Sequence, residues 1–491
     1  MNTRNRAAAG MAIFAAPLIV VLAGLLVTGP AGRALAKSPL PKTEQVDQIF
    51  ATWDTAYSPG CAVAVIQNGS IVYSRGYGMA DLDHNLKIAP STVFHAASLS
   101  KQFTAMSVML LVGQGRLSLD DDVRTYVPEL PENLGARITV GDLLRHISGI
   151  RDQWIFVTMA GWRVSDDVIR LEDVIHFVKR MKALNFTPRD RYLYSNTGYT
   201  LAGLIVEKVS GRPLADFARD NIFSPLGMAN TRFAKTHSVI VQNRAYGYTD
   251  QPYQMRMPNY DLTGPTNLLT TVEDLARWDR NFDDKTVGGA AALSQMQTPA
   301  QLANGSTAPY GLGLMIAKYR GLNVIEHDGR DPGYRAHLIR FPDQHLAVAC
   351  LCNLVLPNEK LPGALVRQVA DVYLEGQFPV ATQDPEVAPP QRAIAPAALP
   401  PAEWAEYEGQ YYSDEIDTVY NVERHGSSIS ITRPKYPATL LTPDSRDKFT
   451  MLGFSVVLSP ATVRFTRDAQ QHVTGLLIDG DHLFNFKFNK R

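Results

Sequence analysis

Three short groups of polar residues could together carry out acyl transfer from a carbonyl substrate. The first is Ser98-Leu99-Ser100-Lys101, where the apolar pattern predicts a helix over residues 98–112. Residues three apart share a helical face, so the Ser98 hydroxyl and the Lys101 amine would be neighbours. A serine needs a nearby base to become a nucleophile, and a desolvated lysine amine can be that base or can lower the pKa of another one. Alone, the spacing equally fits a helix cap followed by a solvated lysine.

The second group is Tyr194-Ser195-Asn196, just before a predicted helix over residues 198–209. A tyrosine beside a lysine ammonium can be pushed toward phenolate and accept a proton. Asn196 can donate a hydrogen bond to a substrate carbonyl or orient Lys101. Alone, the segment also fits a turn in which asparagine caps the helix and tyrosine packs.

The third group is His327-Asp328-Gly329, at the end of an apolar strand. His327 could donate a hydrogen bond to the substrate or to its leaving group. Gly329 would let a substrate backbone approach the strand edge, and the N–H of Arg330 could hold a developing oxyanion. The alternative is a structural histidine in a glycine-rich turn.

The surrounding elements predict one α/β body. Residues 61–67 and 71–77 flank Asn68-Gly69 and predict a β-hairpin. Strands return at 323–327, 335–341 and 346–353, and helices are predicted at 98–112, 198–209, 214–221, 271–282 and 361–375. Strands at both ends with helices between them predict one antiparallel sheet, closed by the two ends of the domain and covered by a helical insertion.

A Pro/Ala-rich stretch at 379–402 predicts a linker between this body, residues 37–378, and a tail, residues 403–491. The tail alternates apolar and polar residues, and about eight short strands predict a barrel or sandwich. Candidate strands are 418–423, 428–432, 438–441, 456–458, 463–466, 473–478 and 482–488.

The first 36 residues predict a signal peptide. Arg4 and Arg6 precede an apolar run, and Ala34-Leu35-Ala36 offers a cleavage site that would start the mature chain near Lys37. We therefore expect a periplasmic or secreted protein. The alternative is an uncleaved membrane anchor, because the apolar run is long enough to span a bilayer.

Composition restricts the partners. Of 491 residues, 45% are hydrophobic, and 48 Lys+Arg balance 48 Asp+Glu, which suits a globular protein and not a nucleic-acid binder. Metal-binding and dinucleotide motifs are missing from the sequence, so we expect no metal and no cofactor. Cys350 and Cys352 would share one strand face, and we expect three buried thiols, with a bridge from Cys61 to one of them as the lesser alternative.

Together, the three motifs resemble the serine β-lactamase and penicillin-binding-protein superfamily, in its class C β-lactamase-like branch, which includes esterases and D-amino-acid peptidases. The resemblance covers roughly residues 45–375. The matching text is HAASLSKQFTA (95–105), GRLSLDDDVRTYVPELP (115–131), LLRHISGI (143–150), YSNTGYTLAGLIVEKVSG (194–211), PLGMANT (225–231) and HDGRDPGY (327–334). The resemblance implies a β-lactamase/transpeptidase-like fold, and the tail is similar to the lipocalin-like barrel appended to some members. The barrel would be either a stability module or a wall of the substrate cleft.

The resemblance also implies roles. Ser98 would be the acylating nucleophile, and Lys101 and Tyr194 would activate it. Asn196 would contact the substrate and the lysine, and His327 and Gly329 would line the substrate site. The N–H groups of Ser98 and Arg330 would form the oxyanion hole, and His146 would hold a loop.

Two departures from the family pattern bear on the substrate. His327 stands where β-lactamases usually place a permanently charged lysine, which tilts the expectation toward esterase, amidase or D-peptidase activity. Arg330 brings charge to the cleft and is predicted to bind a substrate carboxylate. The sequence predicts an exported serine hydrolase that acts through an acyl-enzyme on an ester or a small peptide or amide. The alternatives are a D-alanyl carboxypeptidase or weak β-lactamase acting on cell-wall fragments, and a peptidoglycan- or peptide-binding protein without turnover.

Overall fold

The computed structural model describes residues 40–355, 362–379, 401–453 and 460–491, with backbone alone at 401–403. The predicted signal peptide at 1–36, residues 380–400 of the predicted linker and the predicted strand at 456–458 lie outside the described residues. Within the described ranges, no helix combines the length and the apolar character needed to cross a bilayer.

The α/β body is built on one antiparallel sheet. Its strands, with the short ones around them, are β1 Cys61–Gln67, β2 Ser70–Tyr77, β3 Met79–Asp81, β4 Leu86–Lys87, β5 Phe94–His95, β6 Ile169–Arg170, β7 Arg232–Phe233, β8 Tyr260–Asp261, β9 Leu268–Thr270, β10 Met315–Tyr319, β11 Leu322–Asp331, β12 Tyr334–Phe341 and β13 Leu346–Cys352. Six of them form the main sheet in the order β10-β11-β12-β13-β1-β2. The first strands of the body therefore pair with its last ones, as predicted.

Helices cover both faces of the main sheet. They are α1 Lys42–Phe50, α2 Ser100–Gly113, α3 Val140–Leu144, α4 Gln153–Met159, α5 Leu171–Arg180, α6 Asn196–Ser210, α7 Leu214–Ala218, α8 Val272–Asp284, α9 Gly289–Met296 and α10 Gly363–Tyr373. The predicted helix at 98–112 begins later than expected, because Ala97–Leu99 forms a 3₁₀ turn before α2. The predicted cap of α8 is confirmed: the Thr271 side chain accepts a hydrogen bond from the Asp274 N–H.

Side-chain alternation along the strands separates two cores. On β1, Cys61, Val63 and Val65 face the layer formed by α1 and α10. Ala62 and Ala64 face the larger helical layer on the other side. The catalytic candidates lie on the helical side, where α6 packs against α2 and the turn before α2 contacts β11 and β12.

The expectation of three free thiols is wrong. Cys61 and Cys352 form a disulfide, and Cys350 is a buried free thiol whose Sγ lies 3.6 Å from that of Cys352. The cause is the register of β1 on β13, which places Cys61 directly opposite Cys352. The lesser alternative, a bridge from Cys61, is the one that the structure contains.

The tail is a closed eight-stranded barrel, which confirms the all-β prediction. Its strands are β14 Gly409–Ser413, β15 Thr418–His425, β16 Ser428–Thr432, β17 Thr439–Ser445, β18 Lys448–Met451, β19 Ala461–Arg467, β20 Val473–Gly480 and β21 Leu483–Lys490. The sequence patterns missed β14 and β18, which are among the shortest.

The barrel is hydrogen-bonded to the body at the end of α4. Three of its side chains donate hydrogen bonds to backbone carbonyls there: Arg433 to Thr158 at 2.6 Å, Tyr420 to Met159 at 2.8 Å and Tyr436 to Trp162 at 2.8 Å. A buried ion pair joins Arg151 of the body to Glu415 of the barrel. These contacts are specific enough to fix the barrel on the body.

Candidate active site

Ser98 lies in a tightly held turn at the start of α2. Ala97, just before it, has φ = 47°, a left-handed conformation that costs a non-glycine residue about 1–2 kcal/mol. The turn is held because the Ser100 hydroxyl donates to the Ala97 carbonyl at 2.6 Å and accepts from the Leu268 N–H at 3.0 Å. This arrangement presents the Ser98 side chain, which is only partly buried, at the surface of the helical layer.

Lys101 is fully buried beneath Ser98. Its Nζ lies 3.0 Å from Ser98 Oγ, 2.9 Å from Asn196 Oδ1 and 2.8 Å from the Pro265 carbonyl oxygen. Burial lowers the pKa of Lys101 from 10.5 to about 7, and nearby carboxylates, Asp331 foremost, offset part of that effect. Near neutral pH a large share of Lys101 is therefore an uncharged amine that can accept the Ser98 proton.

Tyr194 completes the group around the nucleophile. Lys101 Nζ lies 4.9 Å from its ring centroid, and the Ser98 hydroxyl acts on the Tyr194 phenol to lower its pKa. Burial raises the pKa of Tyr194 well above its usual value, and the Ser98 hydroxyl offsets this only in part. The expected shift toward phenolate is therefore not what the structure favours, because burial outweighs a lysine whose own charge is suppressed.

Asn196 is oriented by an acidic residue that the sequence did not point to. Asp152 Oδ2 accepts hydrogen bonds from the backbone N–H of Asn196 at 2.5 Å and from its Nδ2 at 2.8 Å. The amide oxygen is thereby turned toward Lys101. Asp152 also caps α4 by accepting from the Trp154 N–H at 2.8 Å, and this capping position is the one local signal that it carries.

His327 is buried and uncharged at neutral pH. Burial, with a contribution from the charge of Lys101, lowers its pKa to about 4. Its Nδ1 lies 2.6 Å from the Asp328 carbonyl oxygen and its Nε2 lies 2.8 Å from the Tyr310 hydroxyl. Since a carbonyl can only accept, Nδ1 carries the proton and Nε2 accepts from Tyr310. Both nitrogens are engaged, so His327 does not offer the free donor that the sequence suggested.

Gly329 allows β11 to touch the nucleophile turn. A Cβ at this position would lie 2.4 Å from the Ala96 carbonyl oxygen, so a larger residue would push the strand away. The close approach brings the backbone of Arg330 to the turn, where its N–H was expected to serve the oxyanion. The Arg330 guanidinium instead pairs with Asp328 at 2.9 Å, on the strand face opposite His327. The structure therefore does not bring that guanidinium to Ser98.

Asp331 is a further acidic neighbour of Lys101. Its Oδ2 accepts a hydrogen bond from Thr266 and lies 3.5 Å from His95 Nδ1, and only 10% of its side chain is exposed. Burial raises the pKa of Asp331 to about 6, and the charge of Lys101 opposes that rise. Asp331 is thus ionised near neutral pH and favours the charged form of Lys101.

His146 has the loop-holding position expected of it. Its Nδ1 accepts from the Ser195 N–H at 3.1 Å, and its ring lies 4.1 Å from that of Tyr194. Burial and the charge of Lys101 keep its pKa well below the usual value. His146 is thus a neutral side chain that supports the turn carrying Tyr194.

A serine whose hydroxyl contacts a buried lysine amine, with a tyrosine beside both, is typical of serine hydrolases that form acyl-enzymes. The beta-lactamase family model matches residues 46–371. The chain therefore belongs to the beta-lactamase family of serine hydrolases.

Relatives in this family differ in the activity that their names state. The chain is 28% identical over 331 residues to penicillin-binding protein 4* of Bacillus subtilis, covering 64% of this chain and 72% of that protein. It is 27% identical over 297 residues to the D-aminopeptidase of Gluconobacter oxydans, covering 60% of this chain and 56% of that one. The match thus spans little more than half of the D-aminopeptidase.

Solved structures agree on the fold. The octameric penicillin-binding protein homologue from Pyrococcus abyssi covers 91% of this chain and 99% of its own, with a TM-score of 0.59 and 24% identity. The D-amino acid amidase from Ochrobactrum anthropi covers 68% of this chain and 99% of its own, with a TM-score of 0.58 and 24% identity.

Proposed function

We propose that this protein is an exported serine hydrolase that cleaves small amides or peptides of D-amino acids through an acyl-enzyme on Ser98. The observation that carries the proposal is the Lys101 amine, 3.0 Å from Ser98 Oγ and with a pKa lowered to about 7. Such an amine is both close enough and basic enough to take the serine proton at neutral pH.

Acylation follows from these positions. Ser98 Oγ bonds to the substrate carbonyl carbon while its proton passes to Lys101, and the N–H groups of Ser98 and Arg330 hold the resulting oxyanion. The C–N bond then breaks as the leaving nitrogen takes a proton from Tyr194, which regains one from the Lys101 ammonium. Water releases the acid by the same steps, with Lys101 again the base.

Two features support amide substrates over β-lactams. His327 is neutral at physiological pH, so it supplies no fixed positive charge for a β-lactam carboxylate. The second feature is that the names of two relatives, a D-aminopeptidase and a D-amino acid amidase, state a peptide or amide substrate. The D configuration is inferred from the names of the D-aminopeptidase and D-amino acid amidase relatives.

The proposal is tested in two stages with residues 37–491. Incubation with a fluorophosphonate, followed by intact mass measurement, should give one adduct on the wild type and none on Ser98→Ala. D-alanine p-nitroanilide should then be cleaved faster than its L enantiomer, a short-chain ester and a chromogenic cephalosporin. A well-folded wild type that gains no adduct contradicts the hydrolase assignment; equal rates on both enantiomers contradict the substrate class.

A cell-wall carboxypeptidase or weak β-lactamase is the second candidate, favoured by the match to 72% of a penicillin-binding protein. Peptidoglycan fragments ending in D-Ala-D-Ala would then be the substrates. Rapid release of D-alanine from such a peptide, with slow cleavage of the anilide, would favour this candidate. A binding protein without turnover would acylate and never release product on any of these substrates.

Export depends on the first 36 residues. The small-residue site at Ala34-Leu35-Ala36 supports cleavage that leaves Lys37 as the first residue. N-terminal sequencing of the full chain recovered from the periplasm or medium of a bacterial host should read KSPLPK. Retention in the membrane with an intact N-terminus would favour the anchor instead.

A further inference from the structure

The Arg151 side chain of the body is inserted into the barrel. Its Nη1 lies 2.5 Å from Glu415 Oε1, and its Nη2 donates to the Phe484 carbonyl at 3.2 Å. The guanidinium also lies 5.0 Å from the Phe486 ring centroid. Only 1% of the Arg151 side chain and 6% of the Glu415 side chain are exposed. Two opposite charges are thus sealed between barrel and body.

The residue after Arg151 belongs to the candidate active site. Asp152 holds Asn196 by two hydrogen bonds, and the Arg151 carbonyl accepts a third from the Thr197 hydroxyl at 2.8 Å. The Arg151 side chain therefore binds the barrel, and the Asp152 side chain binds the start of α6. Asn196 Oδ1, in turn, is 2.9 Å from Lys101 Nζ.

We infer that Glu415 of the barrel is a positioning residue for the Lys101–Asn196 pair, acting through Arg151 and Asp152. The inference rests on the proposed function, since it assigns a role in activating Ser98. Among the described residues, Glu415 is the carboxylate that forms an ion pair with Arg151, so removing it leaves a buried charge uncompensated, which is strongly unfavourable. Arg151 is relieved by moving toward water, and the peptide that joins it to Asp152 moves with it.

Glu415 is itself held in place from the body side. Its second oxygen, Oε2, accepts a hydrogen bond from the Lys182 backbone N–H at 3.1 Å. The carboxylate thus receives donors from two separate segments of the body. The barrel is in this respect part of the active site's support, although none of its side chains is placed against Ser98 by the contacts described above.

The test compares Glu415→Gln with Tyr436→Phe. The first variant removes the charge that faces Arg151; the second removes a barrel–body hydrogen bond, to the Trp162 carbonyl, that does not lead to Asp152. Glu415→Gln should slow fluorophosphonate labelling of Ser98 by roughly a hundredfold, the scale of loss for a catalytic group displaced by about 1 Å. Tyr436→Phe should label at the wild-type rate.

Hydrogen exchange reports position without any need for turnover. In Glu415→Gln, the peptide spanning residues 194–199 should exchange faster, because the Asn196 N–H is no longer held by Asp152. In Tyr436→Phe this peptide should exchange as in the wild type, even if melting temperatures fall alike. If Glu415→Gln does not fold, Glu415→Asp keeps the charge, withdraws it by one methylene, and should show both effects to a smaller degree.

The outcomes separate the two proposals. If the fluorophosphonate does not label the wild type, the proposed hydrolase function is contradicted. Hydrogen exchange of residues 194–199 then still tests whether Glu415 positions Asn196. If the Glu415 variants are labelled and exchange hydrogen at the wild-type rates, the inference is overturned, and the proposed hydrolase function is unaffected. The inference is also overturned if labelling falls in proportion to melting temperature and falls equally in Glu415→Gln and Tyr436→Phe. In that case the barrel would only stabilise the body.

Discussion

The pKa of Lys101 makes a quantitative prediction about the pH dependence of acylation. Lowering it from 10.5 to about 7 corresponds to about 5 kcal/mol in favour of the neutral amine. At pH 8, about nine tenths of a lysine with a pKa near 7 is neutral, against about three in a thousand for an unperturbed lysine. The burial of Lys101 is therefore worth about 300-fold in available base at that pH.

The assay is the second-order rate of Ser98 labelling by an uncharged fluorophosphonate between pH 5 and pH 10. The rate should fall about tenfold for each pH unit below 7 and be level from pH 8 to 9.5, where Lys101 is neutral and Tyr194 still carries its proton. A rate that keeps rising tenfold per unit up to pH 10 would refute the assignment of Lys101 as the proton acceptor.

Asp331 supplies a variant that moves this profile in a known direction. A nearby carboxylate favours the ammonium form, and Asp331 is the largest such influence on Lys101. Asp331→Asn should therefore lower the pKa of Lys101 further and shift the acidic limb to lower pH. The remote Asp284→Asn, which removes an exposed charge near the end of α8, should leave the limb in place. An unmoved or raised limb in Asp331→Asn would show that the two groups are not coupled.

Three further outcomes can be checked directly. Gly329→Ala should abolish labelling of Ser98 while the protein stays folded by circular dichroism, because its Cβ would meet the Ala96 carbonyl oxygen at 2.4 Å. Thiol titration of denatured, unreduced protein should find one thiol, Cys350, and three after reduction; three before reduction would contradict the disulfide. Deletion of residues 380–491 should lower the melting temperature measured by calorimetry, because α4 and Arg151 lose buried partners; an unchanged temperature would refute that role.

Local sequence patterns predicted those parts of the site that are close together in the chain. Ser98 and Lys101 are neighbours because they occupy adjacent turns at one helix start, and Tyr194 and Asn196 because they flank another. The closure of one antiparallel sheet by the two ends of the body was also predicted, because strand patterns occur at both ends with helical patterns between them. For the two residue pairs, spacing along one short segment determines the geometry.

What the sequence could not provide is contact between distant segments. Asp152 is 44 residues from Asn196, and the Pro265 carbonyl is 164 residues from Lys101. A backbone carbonyl carries no side-chain signal at all. The prediction of three free thiols failed for a related reason. The pairing of Cys61 with Cys352, and not with Cys350, depends on a strand register that the alternation of apolar residues does not reveal.

The hydrogen bonds from the barrel to the end of α4 have a consequence for the evolution of the sequence at this interface. Tyr420 and Arg433 donate hydrogen bonds to the carbonyls of Met159 and Thr158. These are among the last four carbonyls of α4, for which the helix itself contains no N–H partner. The barrel thus supplies a donor to the Met159 carbonyl, and to the Thr158 carbonyl a second donor beside the Gly161 N–H at 3.1 Å. Because every residue has a carbonyl, these contacts are indifferent to which side chains α4 carries. Substitutions at α4 positions that do not touch the barrel can therefore accumulate without undocking it. The Phe156 ring, 6.0 Å from that of Phe486, and the Arg151–Glu415 ion pair are the side-chain contacts that restrict change at this interface.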